Sequence, residues 1–270
     1  MVRRRLDVEL VRRGLADSRE RAQAEIAAGR VTVAGAPAAK PSRQVAAHEA
    51  VEVHGPPPPY VGRGGHKLAA ALDRFGIDVA GRDALDAGSS TGGFTDCLLQ
   101  AGARGVVAVD VGRVQLHERL RADPRVAVLE GTDIRDVEPS SLATPPGIVV
   151  ADLSFISLRL VLGHLSALVA PEGDLVVLVK PQFEAGRAEA DRGRGVIREP
   201  ATWRRVLAEV AEAASQAGLG IMGAMVSPIR GAQGNVEFLF HMAPGSAGRP
   251  AAGIAELLDA VLDEAQAGLA

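Results

Sequence analysis

Over the last two thirds of the chain, segments with strand-like apolar runs alternate with segments whose apolar positions have helical spacing. Seven short apolar-rich runs predict strands, at 84–88, 105–111, 126–131, 147–152, 174–180, 221–226 and 235–242. Segments with apolar positions at helical spacing predict helices over 93–101, 115–122, 157–169 and 201–217. Several strand runs are apolar without interruption, which is expected when both faces of a sheet are covered. This order predicts a doubly wound α/β sheet, whose ligands bind at the carboxyl ends of the strands.

The first sixty residues follow a different pattern. A first short helix is predicted to end at Gly14, and a second to begin at the suitable N-cap residue Ser18 and end at Gly29. Residues 30–35 then alternate with period two, which predicts a strand that turns at Gly35. These features indicate a small α+β unit of two helices and a few short strands.

A proline run separates the two patterns. Four consecutive prolines within 55–60 favour a stiff, extended spacer, because proline fixes φ and cannot donate a backbone hydrogen bond. We therefore predict two domains, 1–59 and 60–270. A last amphipathic segment, 254–268, is acidic and is predicted to pack on the second domain as a helix.

Composition narrows the functional classes. The 270 residues contain one cysteine, Cys97, which excludes an internal disulfide framework and fits a reducing, cytoplasmic location. No run is apolar enough to predict a membrane span, and the basic N-terminus lacks the apolar core of a secretory signal. Residues 1–63 hold eleven Lys/Arg and seven Asp/Glu, a net charge of +4, which leaves −7 on the rest. A basic small unit beside an acidic larger one suggests a polyanion-binding module, although a solvated arginine-rich helix face gives the same charge.

The order of residues in the small unit resembles the S4 RNA-binding domain. The resemblance spans about residues 3–55 and is carried by Ser18, Arg19, Ala22, Ile26, Gly29, Val31, Val33 and Gly35. It implies that two helices present basic side chains to the phosphates of structured RNA. The RNA contacts so implied are Arg4, Arg5, Arg12, Arg13, Arg19 and Arg21. The alternative is a helical module that only docks protein.

The first strand of the large domain runs into a glycine-rich turn, LDAGSSTGGFTDCLL. An acidic residue, Asp110, follows Gly88 by 22 residues, at the end of the next strand, where a carboxylate can accept hydrogen bonds from a ribose. An NAD site is the competing interpretation, but the spacing is not G-x-G-x-x-G. The run resembles motif I of S-adenosylmethionine-dependent methyltransferases, which implies that cofactor. The cofactor-binding residues implied by the resemblance are Asp86, Gly88, Ser90, Thr91, Gly92, Gly93, Phe94, Asp110, Val111, Asp133 and Ile134. For Asp133, capping of a helix is an equally good interpretation.

The six histidines show no metal-ligand spacing, and no metal site is predicted.

Four charged residues are expected to converge on the same crevice. Asp152 and Lys180 end two predicted strands, Lys67 lies at the start of a helix, and Glu237 lies inside an otherwise apolar strand. Their order, Lys67, Asp152, Lys180 and Glu237, resembles the tetrad of FtsJ-like RNA 2′-O-methyltransferases. A ribose hydroxyl is a poor nucleophile near neutral pH, so the enzyme must deprotonate or polarise it. Lys180 is the candidate base, Lys67 the neighbouring cation, and the two carboxylates would orient the ammonium groups.

The whole chain resembles the TlyA family, through an S4 module followed by RGGHKL, the glycine turn, ADLSFISL, LVKPQFE and GNVEF. The resemblance implies a Rossmann-like methyltransferase sheet behind an S4 domain, 2′-O-methylation of cytidine, and ribosomal RNA or ribosomal subunits as partners. It implies no membrane and no obligate protein partner. The alternatives are an inactive S4-type RNA-binding protein and a membrane-active haemolysin, which a liposome leakage assay would detect. The tetraproline linker departs from the family's usual short linker.

The segment 184–200 follows the candidate base and is rich in glycine and arginine. It is too polar to pack in a core and long for a connection in a compact domain. We predict a loop whose Arg192 and Arg194 bind phosphates beside the target nucleotide; a plain surface connection is the alternative.

Overall fold

A computed structural model of the chain describes residues 3–16, 19–55, 58–186, 189, 193, 195–245 and 251–268. The chain forms two compact units, Met1–Pro59 and Tyr60–Ala270. Across the described ranges, no helix combines the length and the apolar character needed to cross a bilayer.

The first unit is a small α+β domain, as predicted. Its elements are β1 (Arg3–Arg5), α1 (Leu6–Arg12), α2 (Arg19–Ala27), β2 (Val31–Val33), β3 (Ala36–Pro37), β4 (Gln44–Ala46) and β5 (Val51–Val53). Strand β1 pairs with β4, and β2 lies between β3 and β5. The two helices bury Leu6, Leu10 and Ile26 against these strands. The predicted N-cap, Ser18, lies outside the described residues.

The second unit contains a seven-stranded mixed sheet. Its strands are β6 (Asp83–Ala87), β7 (Gly105–Asp110), β8 (Val126–Glu130), β9 (Ile148–Ala151), β10 (Asp174–Val179), β11 (Leu219–Val226) and β12 (Phe238–Pro244). The helices are α3 (Gly64–Phe75), α4 (Gly93–Gln100), α5 (Glu118–Arg121), α6 (Leu162–Leu168), α7 (Pro181–Glu184), α8 (Pro200–Gln216) and α9 (Ala251–Ala267). The strand order is β11-β12-β10-β9-β6-β7-β8; β6 to β10 are parallel, and β12 is antiparallel to both of its neighbours, β10 and β11. The predicted α/β fold class is confirmed.

The uninterrupted apolar strands are explained by two cores, one on each face of the sheet. Leu85, Val149 and Val177 belong to the core that includes residues of α6, α8 and α9. Their chain neighbours Val150 and Val176 belong to the other core, which includes residues of α3 and α4. Because successive side chains of a strand point to opposite faces, both faces can be apolar only when helices cover both.

Three predicted boundaries are wrong. Glu237 does not lie inside a strand, because β12 begins at Phe238. The helix predicted over 115–122 is reduced to α5, because the Glu130 carboxylate binds the backbone N–H groups of residues 114–116 as a loop. The segment 157–169 is split at Val161 into a 3₁₀ turn, Leu158–Leu160, and α6.

Candidate active site

A cavity of about 630 Å³ opens at the carboxyl ends of β6, β7 and β9. It is lined by Gly88, Ser90, Val109, Asp110, Val111, Gly112, Gln115, Thr132, Asp133, Ile134, Arg135, Asp152, Leu153, Ser154, Phe155 and Ile156. This is the edge at which open α/β sheets bind their ligands. The cavity is therefore the candidate substrate and cofactor pocket.

The glycine turn approaches the neighbouring strand very closely. A Cβ at Gly88 would lie 2.8 Å from the carbonyl oxygen of Asp152, and the residue has a φ of +85°. Ser90 also has a positive φ, +47°, and its N–H donates to Asp110 Oδ2 at 2.7 Å. Gly112 N–H donates to the other oxygen of Asp110, also at 2.7 Å. Asp110 thus joins the two loops that form the pocket wall.

The predicted cofactor residues divide into two groups. Gly88, Ser90, Asp110, Val111, Asp133 and Ile134 line the cavity, whereas Asp86, Thr91, Gly92, Gly93 and Phe94 are not among the residues that line it. In the second group, a Cβ on Gly92 would meet Leu120, and one on Gly93 would meet the backbone of Gly64 and Gly65. These glycines allow close packing of α4. Direct cofactor contact by the second group stays a prediction.

Asp133 caps a 3₁₀ turn and also lines the pocket, so its predicted contact with the cofactor stays a prediction. Its carboxylate accepts from the backbone N–H of Arg135 at 2.9 Å, which caps a 3₁₀ turn, and it also pairs with the Arg135 guanidinium. These bonds lower its pKa to about 2. The same residue faces the pocket.

Asp86 lies beneath the glycine turn and is fully buried. Thr95 Oγ1 donates to Asp86 Oδ2 at 2.6 Å, while Oδ1 has no hydrogen-bond partner in the part of the chain that the structure describes. Burial raises the pKa of Asp86 to about 7, and the charges of Asp152 and Asp110 act in the same direction. A buried acceptor without a partner is rare, and here it sits in the motif assigned to the cofactor.

The four charged residues of the predicted tetrad form two ion pairs. Lys180 Nζ lies 2.5 Å from Asp152 Oδ1, and Lys67 Nζ lies 2.6 Å from Glu237 Oε2. Both lysines are 8% exposed. Gln182, two residues after Lys180 in the chain, donates to Glu237 Oε1 at 3.1 Å. Pairing offsets the cost of burying these charges and fixes both ammonium groups; of the four residues, Asp152 lines the described cavity and the other three do not.

The loop between β9 and the following 3₁₀ turn contains a residue that sequence reasoning missed. Phe155 is 92% exposed, has a φ of +64° and lines the pocket. A large aromatic side chain in a left-handed conformation is a genuine outlier, and such strain concentrates at functional sites. The segment ADLSFISL carries the family resemblance, but no rule of spacing or amphipathicity identifies which of its residues points outward.

The arginines predicted to bind RNA differ in their availability. Arg5 and Arg19 pair with the buried Asp7, and Arg12 pairs with the buried Glu9. Arg13, with a side chain 19% exposed, binds Glu9 and the backbone carbonyls of residues 46, 47 and 49.

Arg21 pairs with Glu25, and its side chain is 20% exposed. Arg4 is exposed on β1 and has no ion pair among the described residues. Arg192 and Arg194 lie outside the described residues. The structure thus assigns several of these arginines a packing role within the unit.

Comparisons with known proteins agree on the class of both units. The FtsJ-like methyltransferase family matches residues 60–243, and the S4 domain family matches residues 4–51. The 16S/23S rRNA (cytidine-2′-O)-methyltransferase TlyA of Mycobacterium tuberculosis is 47% identical over 89% of this chain and 90% of its own length. Hemolysin A of Brachyspira hyodysenteriae is 37% identical, over 88% and 98%. A solved structure from Streptococcus thermophilus, described as a hemolysin, has 37% identity and a TM-score of 0.77, and covers 99% of this chain and 98% of its own.

Proposed function

The chain belongs to the TlyA family of S4-containing, FtsJ-like methyltransferases, and from this premise we propose that it methylates the 2′-hydroxyl of a cytidine in ribosomal RNA. The observation that carries this proposal is the two buried lysine–carboxylate contacts, of which Lys180–Asp152 reaches the pocket through Asp152. The methyl donor is S-adenosylmethionine, and the S4 unit binds the RNA.

The residues present fit that cofactor. Asp110 can accept from a ribose diol, because each carboxylate oxygen that receives a backbone N–H retains a further acceptor position. The unpartnered Oδ1 of Asp86 provides another acceptor under the glycine turn. When bound, the cofactor supplies an electrophilic methyl group. The chain's own task is then to hold the ribose hydroxyl and to remove its proton.

Lys180 is the proton acceptor in this proposal. Its Nζ is held by Asp152 and by a 2.9 Å hydrogen bond to Ser154 Oγ, so the nitrogen has a fixed position at the pocket. Lys180 must first release its own ammonium proton to water; the neutral amine can then take the hydroxyl proton, and Asp152 stabilises the ammonium that results. Lys67 and Glu237 provide the second fixed charge pair, and Gln182 keeps Glu237 in place.

The direct test combines the purified protein, methyl-labelled S-adenosylmethionine and ribosomal RNA or subunits. Mass spectrometry of the digested RNA should find the label on the ribose of one or a few cytidines. Label on a base, or none on any RNA substrate, would contradict the proposed reaction.

Asp110→Ala is expected to weaken S-adenosylmethionine binding about 10- to 150-fold, because hydrogen bonds to a charged group contribute about 1.5–3 kcal/mol. Titration calorimetry measures the affinity without RNA. Asp123→Ala is the matched control, since Asp123 pairs with Arg125 and does not line the pocket. Equal affinity of Asp110→Ala and wild type would reject the ribose contact.

Phe155→Ala is expected to lower kcat/KM for RNA, while cofactor affinity stays the same. Stacking of a base on an aromatic side chain is worth about 1–3 kcal/mol, which corresponds to roughly 5- to 150-fold. This stacking is expected because the Phe155 ring is exposed at the pocket mouth, where an unstacked base can lie on it. Leu160→Ala is the control, because Leu160 is 69% exposed but does not line the pocket. Comparable losses in both variants would argue against stacking.

Arg4→Ala is expected to weaken RNA binding and to lower its salt slope by about one, since one phosphate contact is lost. Arg13→Ala should instead lower the melting temperature, because Arg13 ties Glu9 to three backbone carbonyls. Filter binding at several salt concentrations and thermal unfolding separate the two effects. An unchanged salt slope in Arg4→Ala would remove Arg4 from the RNA contact set.

A further inference from the structure

The loop that carries Phe155 is attached at one end to Lys180 and at the other to the short turn that follows Lys180. At its start, Ser154 Oγ accepts from Lys180 Nζ at 2.9 Å. In the middle, the rings of Phe155 and Phe183 lie 5.2 Å apart, centre to centre. Helix α7 therefore contacts the loop along its length.

Glu184 makes the attachment at the far end. Its Oε1 accepts from Leu158 N–H at 2.7 Å, and its Oε2 accepts from Ser157 Oγ at 2.5 Å. Arg159 Nη2 donates to the Glu184 backbone carbonyl at 3.1 Å, and Arg159 Nε lies 3.4 Å from Oε2. Glu184 is 3% exposed, so its charge is held by the loop and by Arg159 rather than by water.

We propose that Glu184 is a positioning residue that acts through Phe155: it fixes the loop so that the aromatic ring stands at the pocket mouth. The inference rests on the proposed function. Its physical basis is that Phe155 is 92% exposed and its ring contact with Phe183 does not fix the backbone, so the bonds that flank Phe155 must hold its strained φ. Glu184 lies four residues after Lys180, so the turn that holds the Phe155 loop begins at the residue that takes the proton.

A double-mutant cycle tests this role. Glu184→Ala alone is expected to lower kcat/KM for RNA about tenfold, with unchanged affinity for S-adenosylmethionine. In a Phe155→Ala background, the same change should cost less than twofold, because the ring that it positions is already gone. Glu184→Gln, which can still accept from Leu158 N–H, should recover most of the activity. Equal losses in both backgrounds would overturn the proposal, since a general structural role acts independently of Phe155.

The control and a second readout keep the test decisive. Glu209→Ala removes the other carboxylate partner of Arg159, at 2.7 Å, and should leave activity within twofold. Hydrogen exchange at the Leu158 amide should become faster in Glu184→Ala than in Glu209→Ala, and this does not depend on methyl transfer. If wild type does not methylate RNA but exchange still rises, the proposed function fails and the loop attachment stands. If exchange does not change, Glu184 does not hold the loop. If Glu184→Ala does not fold, Ser157→Ala removes one loop bond and replaces it in the cycle.

Discussion

Lys180→Ala is expected to reduce methyl transfer to RNA on the order of 10³-fold, because general acid–base groups typically contribute about 10² to 10⁴. Cofactor affinity should remain close to that of wild type, since Lys180 is not among the residues that line the described cavity. Single-turnover methylation with labelled S-adenosylmethionine measures the chemical step, and calorimetry measures cofactor binding.

Lys180→Arg is the informative companion variant. Arginine keeps a positive charge beside Asp152, but it cannot be deprotonated in proteins. If Lys180 accepts the hydroxyl proton, Lys180→Arg should be nearly as inactive as Lys180→Ala. If Lys180 only supplies charge, the arginine variant should keep a large part of the activity. An activity of Lys180→Arg within tenfold of wild type would therefore exclude the base role.

Asp86→Asn is expected to stabilise the cofactor-free protein, and to do so more strongly at high pH. The pKa of Asp86 is raised to about 7 by burial, against about 3.9 in an unfolded chain. Between these values the folded state binds more protons than the unfolded state, so the free energy of unfolding falls as the pH rises. The destabilisation caused by the buried Asp86 carboxylate reaches its full value above about pH 7. The gain from Asp86→Asn should thus be about 2–3 kcal/mol larger at pH 8 than at pH 5.

Urea unfolding at the two pH values measures this difference. Trp203, the single tryptophan, is buried in the second unit, so its fluorescence reports on that unit. Asp83→Asn, on the same strand, is a control for which the change in stability is expected to have the opposite sign. Bonds from Arg104 and Thr144 lower the pKa of Asp83, so its carboxylate stabilises the fold above its unfolded pKa and the stabilisation is lost as pH falls. Asp83→Asn should be destabilising at pH 8. A gain from Asp86→Asn that is equal at both pH values would contradict the raised pKa.

The same variant should also show why a destabilising carboxylate is present. In Asp86→Asn, an amide NH₂ group takes the place of one of the two carboxylate oxygens, either the unpartnered Oδ1 or Oδ2. We expect weaker cofactor binding together with a higher free energy of unfolding. This is the trade-off expected when a group that lowers stability is present because it binds a ligand.

Local sequence patterns were sufficient for the architecture. Uninterrupted apolar runs predicted a sheet covered on both faces, and the two cores on either side of β6, β9 and β10 confirm it. The glycine turn and Asp110 could be placed at the same sheet edge because parallel strands bring their carboxyl ends together. Lysine usage held a further signal: the chain has three lysines, and two of them, Lys67 and Lys180, form the ion pairs of the candidate site. In a chain that otherwise uses arginine, lysine marks positions where a removable proton matters.

Which groups pair with which was decided by the tertiary structure alone. Sequence order does not determine that Asp152 faces Lys180 and Glu237 faces Lys67, because the partners are up to 170 positions apart. It does not show that Asp7 and Glu9 bind arginines that appeared available for RNA, or that Phe155 points to solvent. The periodicity of apolar positions can be read from a single chain segment, and it is enough to predict helices and strands. The pairing of charges and the direction of a loop side chain depend on several segments meeting in space, and only the folded chain brings those segments together.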